Sequence, residues 1–516
     1  MNLTSARVTC FRSIDDSGEF SIDPLTCFIG SNGAGKSAVL EALYKLNPAV
    51  SRDGDFKLLD YPRKRYVDYR AQHATQPATV VTTTWRLDDD DRALLRPFIG
   101  ERATESLRIR ISKGYDNQQR WTVDLDEAAL VQHLLGIASL DAEDLLTLES
   151  ATTLGDLVSW LQRGDLDSAR HDALLNTLLA QFPQGKAEPA IVALLRDRLP
   201  KFVYVTEYPI VPGEVALHQV MARRAQQSGI SSDEAFLALL DLAGMDPIEM
   251  QQADISEELI AELESASDRD SRDVLGSWSQ YRHLRAEFRC DACRPAAGAA
   301  ADTGLTFRTR VRDARHGVTL SLEQQGSGFV WFFSFLVWLS HLKRTAGDRL
   351  VLLLDQPGST LHAEAQRDLL TCLHESRRPA DAILYTTHSA FMMGEAGVAG
   401  VRVVEEAGIR ELAEGGKVPS QDRSEAPALP SAPAPVDQIS IGERLTPTVP
   451  DAAVPAVPAV PAVPAVPPVA AVAAVAVAPN WDSIHADSWA AEAEAAVQAP
   501  APAWSNELAF LRRNDH

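Results

Sequence analysis

Short segments of alternating or continuous hydrophobic residues dominate the first part of the chain. Their pattern is typical of β-strands at residues 3–10, 25–30, 78–88 and 106–112. Between two of these strands, the spacing of apolar residues in 36–46 predicts a helix. From about 124 to 198, leucines recur at three- and four-residue intervals, which predicts a run of helices.

The second half of the body repeats this alternation of strand and helix. A strand and a turn are predicted at 199–213, and a second helical block at about 214–288. The remaining predictions are strands at 304–324, a long apolar helix, a strand at 349–355, a helix at 362–376 and a strand at 382–387. Two helical blocks therefore interrupt a strand-rich framework, which predicts an α/β fold.

The composition changes near residue 411. Residues 453–467 repeat Ala-Val-Pro, a pattern that suits an extended polyproline-like linker because proline blocks helix and sheet pairing. We therefore predict a disordered linker at 411–480. Residues 481–516 carry Trp481, Trp489 and Trp504. Composition favours an unstructured tail, whereas tryptophans that are costly to leave in water indicate a tethered partner-binding motif.

Charge and cysteine content exclude several classes of protein. The 516 residues carry a formal net charge of −22, which argues against a protein that coats nucleic acid or an anionic membrane over its whole surface. Five cysteines do not make a disulfide framework. The start of the chain has no apolar signal segment, and no stretch is long enough to span a membrane, so we expect a cytoplasmic protein.

A phosphate-binding loop is predicted at Gly30–Ser37, which fits the pattern G-x-x-x-x-G-K-[ST]. The loop follows an apolar strand and precedes a helix, as the motif requires. Its glycines let backbone N–H groups point at phosphates, and the helix N-terminus adds partial positive charge. Lys36 would neutralise the β- and γ-phosphates of ATP, and the Ser37 hydroxyl would bind Mg²⁺.

The second half of a nucleotide site is predicted far along the chain. Residues 350–355 form an apolar strand that ends in Asp355, which is how a Walker B motif presents a carboxylate to Mg²⁺. Another apolar strand is followed by His388, and a strand–helix–strand unit would place this histidine beside Asp355. Upstream, Ser327 and Gly328 open the long apolar helix and form a candidate anion site at its N-terminus.

The chain resembles the ABC-type ATPases of the RecF, SMC and OLD (overcoming lysogenization defect) group, and most closely the OLD-like ATPases of bacterial antiphage defence. The resemblance spans about 1–410 and is carried by Phe11–Ile14, Gly30–Ser37, Leu199–Gly213, Gln325–Phe329, Leu352–Leu361 and Thr387–Ala390. It implies an ABC-type head in which two heads sandwich two ATP molecules. Ser327 and Gly328 would then contact the γ-phosphate bound by the other head, and His388 would be the switch histidine.

The resemblance also assigns the ligands. It implies ATP and Mg²⁺ as cofactors, Ser37 and Asp355 at the metal, and Lys36, Gln356 and His388 in catalysis. The residues expected to contact ATP are Arg12, Gly30, Asn32, Gly33, Gly35, Lys36, Ser37, Ser327 and Gly328.

Two features depart from the family pattern. The family usually has Asp-Glu-Pro-Gly after the Walker B strand, whereas this chain has Gln356 in place of the glutamate. An amide cannot accept a proton from water as a carboxylate does, so slow or triggered hydrolysis is expected. OLD nucleases also carry a nuclease domain after the ATPase. Here residues 401–412 close the ATPase and the Pro/Ala-rich tail follows, so we expect no nuclease activity from this chain.

These observations predict five segments. They are an N-terminal lobe of the head (1–120), a mostly helical insertion with a head strand near 200–213 (121–290), a C-terminal lobe (291–410), the linker (411–480) and the tail motif (481–516). We expect an ATPase that forms ATP-dependent homodimers and acts in antiphage defence or DNA repair and maintenance. A partner protein would supply any nuclease or toxin, and DNA is a further candidate partner. The alternative is a scaffold that binds ATP without hydrolysing it and recruits the effector.

Two weaker signals remain open. Cys290 and Cys293 form a lone CxxC pair, which could contribute to a zinc site shared between two chains or be two cysteines near a turn. Basic residues alternate with tyrosines between Tyr61 and His73, a pattern that suits nucleic acid and equally a solvated loop.

Overall fold

The computed structural model describes residues 1–411 except for short gaps. The gaps lie at 51–52, 139, 141–147, 149, 164–168, 227–230, 253–255, 274–282, 293–304, 346–348, 379–380, 394–399 and 406–407. Apart from Glu411, the predicted linker and tail motif lie outside the described residues, as does Cys293. The α/β class predicted from the sequence is confirmed, with sheets flanked by helices.

An antiparallel sheet is formed by the N-terminal part of the chain. Its strands run in the order β2-β1-β4-β5-β6. They are β1 (Asn2–Phe11), β2 (Ile14–Ser21), β4 (Thr79–Arg86), β5 (Arg108–Gly114) and β6 (Gln119–Asp124). Strands β2 and β6 were not predicted, because their polar residues give a weak apolar alternation.

A six-stranded sheet positions the candidate nucleotide site. Its order is β15-β14-β3-β13-β12-β7. The strands are β3 (Leu25–Ile29), β7 (Lys201–Val205), β12 (Leu350–Leu354), β13 (Ala382–Thr386), β14 (Val401–Glu405) and β15 (Gly408–Glu411). All neighbouring pairs are parallel except β14 with β15. The carboxyl ends of five strands therefore meet at one edge, where α/β folds bind ligands.

Both faces of this six-stranded sheet are buried. Along β12, Val351 and Leu353 pack into one apolar cluster, and Leu352 and Leu354 pack into another on the opposite face. A strand that alternates between two cores needs apolar residues at every position. This explains why the strand reads as an unbroken run of Leu and Val.

A third, smaller sheet includes part of the second predicted helical block, so the helix prediction is wrong for those residues. It contains β8 (Glu214–Ala216), β9 (Leu284–Ala292), β10 (Leu305–Asp313) and β11 (Val318–Ser321). Both β8 and the start of β9 lie within the 214–288 stretch that was predicted to be helical. They form strands because both pair with β10, which is distant in sequence. Strand β9 also crosses the predicted domain boundary at 290.

Helices flank the sheets. Those of the first half are α1 (Lys36–Tyr44), α2 (Tyr66–Gln72), α3 (Asp89–Ile99), α4 (Glu101–Ser106), α5 (Glu127–Ile137), α6 (Leu154–Gln162), α7 (Ala169–Gln181) and α8 (Ala187–Leu195). The later helices are α9 (Leu217–Ala225), α10 (Ser231–Ala243), α11 (Pro247–Gln252), α12 (Glu257–Asp273), α13 (Ser327–Thr345) and α14 (Ala363–Ser376). The apolar helix α13 is buried along most of its length, as its composition predicted.

A buried ion cluster connects α3 to Met1 and to the residues that precede β7 and β12. The carboxylate of Asp91 is fully buried and accepts hydrogen bonds from Arg198 Nε at 2.6 Å, from Arg349 Nη1 at 2.7 Å and from the amino group of Met1. Burial alone would raise the pKa of Asp91, but the hydrogen bonds from Arg349, the Met1 amino group and Arg198 outweigh burial and hold the pKa well below its usual range.

We expect Asp91→Asn to lower the free energy of unfolding by about 3–5 kcal/mol at pH 7, because it leaves buried positive charges without their counter-charge. A depressed pKa stabilises the fold above the unfolded-state value near 3.9, and this contribution is lost as the pH falls through the folded-state pKa. The loss should therefore shrink as the pH falls below about 4. Urea unfolding at pH 7 and at a pH below about 4 measures the free energy of unfolding of the parent and the variant. Asp90→Asn is the control, because Asp90 is an exposed carboxylate 3.7 Å from Arg349. Equal unfolding midpoints for the two variants at pH 7 would contradict the role of Asp91.

Candidate functional site

The predicted phosphate loop lies between β3 and α1 at the carboxyl edge of the six-stranded sheet. Helix α1 begins at Lys36, and Gly35 precedes it with a left-handed backbone (φ 104°). Ala34 N donates to Ser31 O at 3.3 Å within the loop. Ser31, Asn32 and Gly33 are exposed. The unpaired N–H groups of the first helical turn are thereby presented at the end of the loop, as an anion site requires.

Gly30 could not be replaced without a clash, and Gly35 has little room for a side chain and a positive φ that other residues seldom adopt. A Cβ on Gly30 would lie 2.3 Å from the backbone oxygen of Val404 on β14. A Cβ on Gly35 would lie 3.1 Å from Ile14 Cγ1 and 3.2 Å from Ser13 Oγ. The loop therefore packs against the Phe11–Ile14 motif on one side and β14 on the other.

Lys36 is buried against its own loop. Its Nζ donates to Gly30 O at 3.0 Å and to Ser31 O at 2.9 Å. Burial lowers the pKa of Lys36, and the nearby Asp355 carboxylate partly offsets this effect. The Asp355 carboxylate is therefore close enough to Lys36 for their charges to interact, although the two residues are far apart in the sequence.

Parallel pairing places the predicted acid and histidine next to the loop. Leu354 at the end of β12 pairs with Tyr385 on β13, and Thr386 pairs with Phe28 on β3. Asp355 and His388 follow these strand ends. Burial lowers the pKa of His388, the charge of Lys36 lowers it further, and Asp355 raises it. Lys36, Asp355 and His388 thus influence one another electrostatically at one edge of the sheet.

The Asp355 carboxylate is held by hydroxyl groups that the sequence did not single out. Thr386 Oγ1 donates to Asp355 Oδ1, and Tyr204 Oη lies 3.4 Å from Asp355 Oδ2. Tyr208 Oη donates to the backbone oxygen of Asp355 at 3.1 Å. Both tyrosines belong to the Leu199–Gly213 segment, which carried part of the family resemblance but was given no role.

Gln356 is exposed and has an unusual backbone conformation. Its φ is 49°, in the left-handed region that non-glycine residues seldom adopt. Its backbone N–H donates to Thr386 Oγ1 at 2.9 Å, which ties it to the same threonine that contacts Asp355. The side chain is exposed at the edge where Asp355 and His388 meet.

A buried glutamine links the loops that follow β12 and β13. Gln366 on α14 donates from Nε2 to Gly358 O at 3.0 Å, and its Oε1 accepts from Ser389 Oγ at 2.6 Å. These contacts fix the loop that carries Gln356 relative to the loop that carries His388. A single glutamine in a helix gave no sequence signal for this role.

The remaining predicted ATP contacts lie in two places. Arg12 has φ 52°, and its Nη2 donates to Glu41 Oε1 on α1 at 2.6 Å, so it lies over the helix that follows the loop. Ser327 is exposed at the first turn of α13. A Cβ on Gly328 would lie 3.4 Å from Leu361, in the segment after β12.

The residues present fit a Mg²⁺–nucleotide complex. Ser37 and Asp355 supply the hydroxyl and carboxylate oxygens that Mg²⁺ prefers. Within the described residues, no group of three or more His, Cys, Asp or Glu side chains could hold a metal by itself. Mg²⁺ usually takes its other ligands from water and from the oxygens of a bound phosphate.

The weaker sequence signals stay open. Burial raises the pKa of the Cys290 thiol to about 12, and Cys293 is outside the described residues. In the basic segment, Arg63, Lys64 and Arg70 are exposed, and Arg65 lies 3.4 Å from Asp15. No helix in the described part of the chain combines the length and hydrophobicity needed to span a bilayer.

The fold and the loop define a P-loop ATPase. The family model described as "AAA domain, putative AbiEii toxin, Type IV TA system" matches residues 25–394, and the chain belongs to this family. It is 32% identical over 97 residues to the uncharacterized protein MJECL43 of Methanocaldococcus jannaschii, a match that covers 18% of this chain. The match spans a quarter (25%) of that curated relative.

Solved structures similar to the chain include heads of SMC proteins. An SMC head bound to the C-terminal winged-helix domain of ScpA matches with a TM-score of 0.34 and 11% identity, covering 80% of this chain and 97% of that one. The SMC head of Thermotoga maritima matches with a TM-score of 0.33 and 11% identity, covering 80% and 100%.

Proposed function

We propose that the chain is an ATP-binding ATPase whose heads dimerise around ATP. The observation that carries this proposal is the convergence of Lys36, Asp355 and His388 at the carboxyl edge of the six-stranded sheet, beside a glycine loop that opens a helix. Family membership supports nucleotide hydrolysis in general. The assignment to an OLD-like ATPase and the predicted domain boundaries, except the one at 290, remain part of the proposal.

The proposed roles follow from chemistry and placement. Lys36 neutralises phosphate charge, and the loop N–H groups bind phosphate oxygens. Ser37 and Asp355 would hold Mg²⁺, which would neutralise charge on the phosphates of the nucleotide. Gln356 orients water by hydrogen bonds without accepting its proton, and His388 donates a hydrogen bond to an oxygen of the γ-phosphate.

Head-to-head dimerisation is proposed because Ser327 is exposed at a helix start, where a phosphate from another copy can reach it. In a dimer with two-fold symmetry, each α13 N-terminus would then complete the partner's site. Arg12, over α1, would lie near the nucleotide of its own head.

Ser327→Arg is expected to abolish ATP-dependent dimerisation, because a long charged side chain fills the space needed for the γ-phosphate. Light scattering with and without Mg-ATP measures this, and exposed Thr371→Arg on α14 serves as the control. The parent and the control should gain mass with Mg-ATP, whereas Ser327→Arg should not. An unchanged parent mass with bound Mg-ATP would argue against ATP-controlled assembly.

The proposed biological role is antiphage defence or DNA repair and maintenance, with an effector such as a nuclease or toxin supplied by a partner. The family description, "AAA domain, putative AbiEii toxin, Type IV TA system", supports the part of this proposal that links the chain to a toxin. Affinity purification with the products of neighbouring genes tests this role. Recovery of the chain without any neighbour, in the presence of Mg-ATP, would count against a dedicated effector.

The second candidate is a scaffold that binds ATP without hydrolysing it. Gln356 favours this alternative, because no carboxylate follows Asp355 to accept a proton from water. The rate of phosphate release from ATP distinguishes the ATPase from the scaffold. The scaffold would dimerise with Mg-ATP but release no more phosphate than a Lys36→Ala variant, whereas the ATPase would release more.

A further inference from the structure

Two tyrosines from one short segment contact different atoms of Asp355. Tyr204, on β7, lies 3.4 Å from the Asp355 carboxylate, and Tyr208, four residues later, donates to the Asp355 backbone oxygen at 3.1 Å. A tyrosine phenol is neutral at physiological pH, so both side chains can act as O–H donors.

The same segment is attached to α13. The ring of Tyr208 packs edge-on against Trp331, with centroids 5.2 Å apart, and against Phe335 at 5.8 Å. Trp331 and Phe335 stack on each other at 5.2 Å. Three residues after Tyr208, the backbone N–H of Val211 donates to Ser334 Oγ at 2.9 Å. Aromatic rings in such close packing transmit small displacements rather than absorb them.

The contacted residues lie on the same face of α13 as Ser327. Trp331 and Phe335 follow Ser327 at intervals of four residues, the spacing of side chains stacked along one helix face. A continuous set of contacts thus runs from Asp355 through Tyr208 and Trp331 to the turn that Ser327 begins.

We propose that Tyr204 and Tyr208 are positioning residues that connect metal–nucleotide binding at Asp355 to the start of α13. Tyr204 orients the carboxylate for the metal, and Tyr208 transmits the position of Asp355 to Ser327. This inference rests on the proposed function, because it assigns Asp355 to the metal and Ser327 to the partner's phosphate. Through these contacts, a nucleotide bound at Asp355 of one head affects the start of α13 in the same head, where Ser327 contacts the nucleotide of the other head.

The hydroxyl groups allow the two tyrosines to be tested without emptying the core. Tyr→Phe keeps each ring and its packing and removes only the contact with Asp355. If the tyrosines were merely core residues, both Phe variants would behave as the parent does in every nucleotide assay.

Tryptophan fluorescence of the full chain is the direct readout, because Trp331 lies in the contact path. The parent should show an emission change with Mg-ATP that Trp331→Phe loses and Trp160→Phe on α6 keeps. Tyr208→Phe should lose at least about half of that change at saturating Mg-ATP, and its ATP-dependent dimerisation should need roughly three- to tenfold more Mg-ATP. Its Mg-ATP binding at protein concentrations too low for dimerisation should stay near that of the parent.

Tyr204→Phe should raise the Mg²⁺ concentration for half-maximal nucleotide binding roughly threefold to tenfold, with ATP binding in EDTA unchanged. Tyr44→Phe on α1, whose ring lies 5.9 Å from that of Tyr204, is the matched control. Parent-like fluorescence and dimerisation in Tyr208→Phe, with Mg-ATP bound, would overturn the connection while leaving the proposed function intact. A parent chain that binds no Mg-ATP would overturn both.

Discussion

Lys36→Ala should weaken Mg-ATP binding at least about thirtyfold, since truncating one partner of a buried, hydrogen-bonded charge pair costs about 2–5 kcal/mol. The Lys36 ammonium is buried against Gly30 O and Ser31 O, so it already lies where the phosphates of a bound nucleotide would need a counter-charge. Alanine removes this charge without disturbing the apolar residues of α1.

Isothermal titration of the parent and the variant with Mg-ATP measures this effect. Lys64→Ala is the control, because Lys64 is an exposed lysine outside the loop. Matching thermal unfolding of the three proteins without nucleotide shows that folding is unaffected. If Lys36→Ala bound Mg-ATP as tightly as the parent, the phosphate site would lie elsewhere in the chain.

Gln356→Glu should raise the steady-state rate of ATP hydrolysis at least about tenfold, because a positioned general base contributes roughly 10² to 10⁴ in rate. Gln356 is exposed next to Asp355, and its backbone is fixed through Thr386. Glutamate has the same length and meets the same backbone constraint at φ 49°, so the carboxylate is the intended change.

Phosphate release under saturating Mg-ATP measures this rate, and Gln356→Ala is the control that removes the amide without adding a base. The alanine variant should be no faster than the parent. A glutamate variant that hydrolyses ATP no faster than the parent would show that the water is activated by another group.

The parts of the site that could be predicted are those whose chemistry is local in sequence. Gly30–Ser37 needs a strand before it and a helix after it, and both were visible in the apolar pattern. Asp355 and His388 each follow a buried apolar strand, and parallel pairing then brings their strand ends together. The α/β class followed from the same alternation of strands and helices.

The parts that could not be predicted depend on contacts between distant segments. Strand β8 is too short to show a pattern, and both β8 and β9 exist because β10 pairs with them. The roles of Thr386, Tyr204 and Gln366 arise from side-chain geometry around Asp355 and the neighbouring loops. A tyrosine or a threonine in a buried strand is equally compatible with simple packing, so sequence alone gives it no function.

Mixing two inactive variants tests most directly whether two heads share each nucleotide. In a dimer of Lys36→Ala with Ser327→Arg, one site carries both changes and the other carries neither. Neither variant alone should hydrolyse ATP. An equimolar mixture should recover up to about half of the parent's rate, since only mixed dimers can form around ATP and each has one intact site of two. A mixture as inactive as its components, beside a parent that hydrolyses ATP, would contradict the shared site.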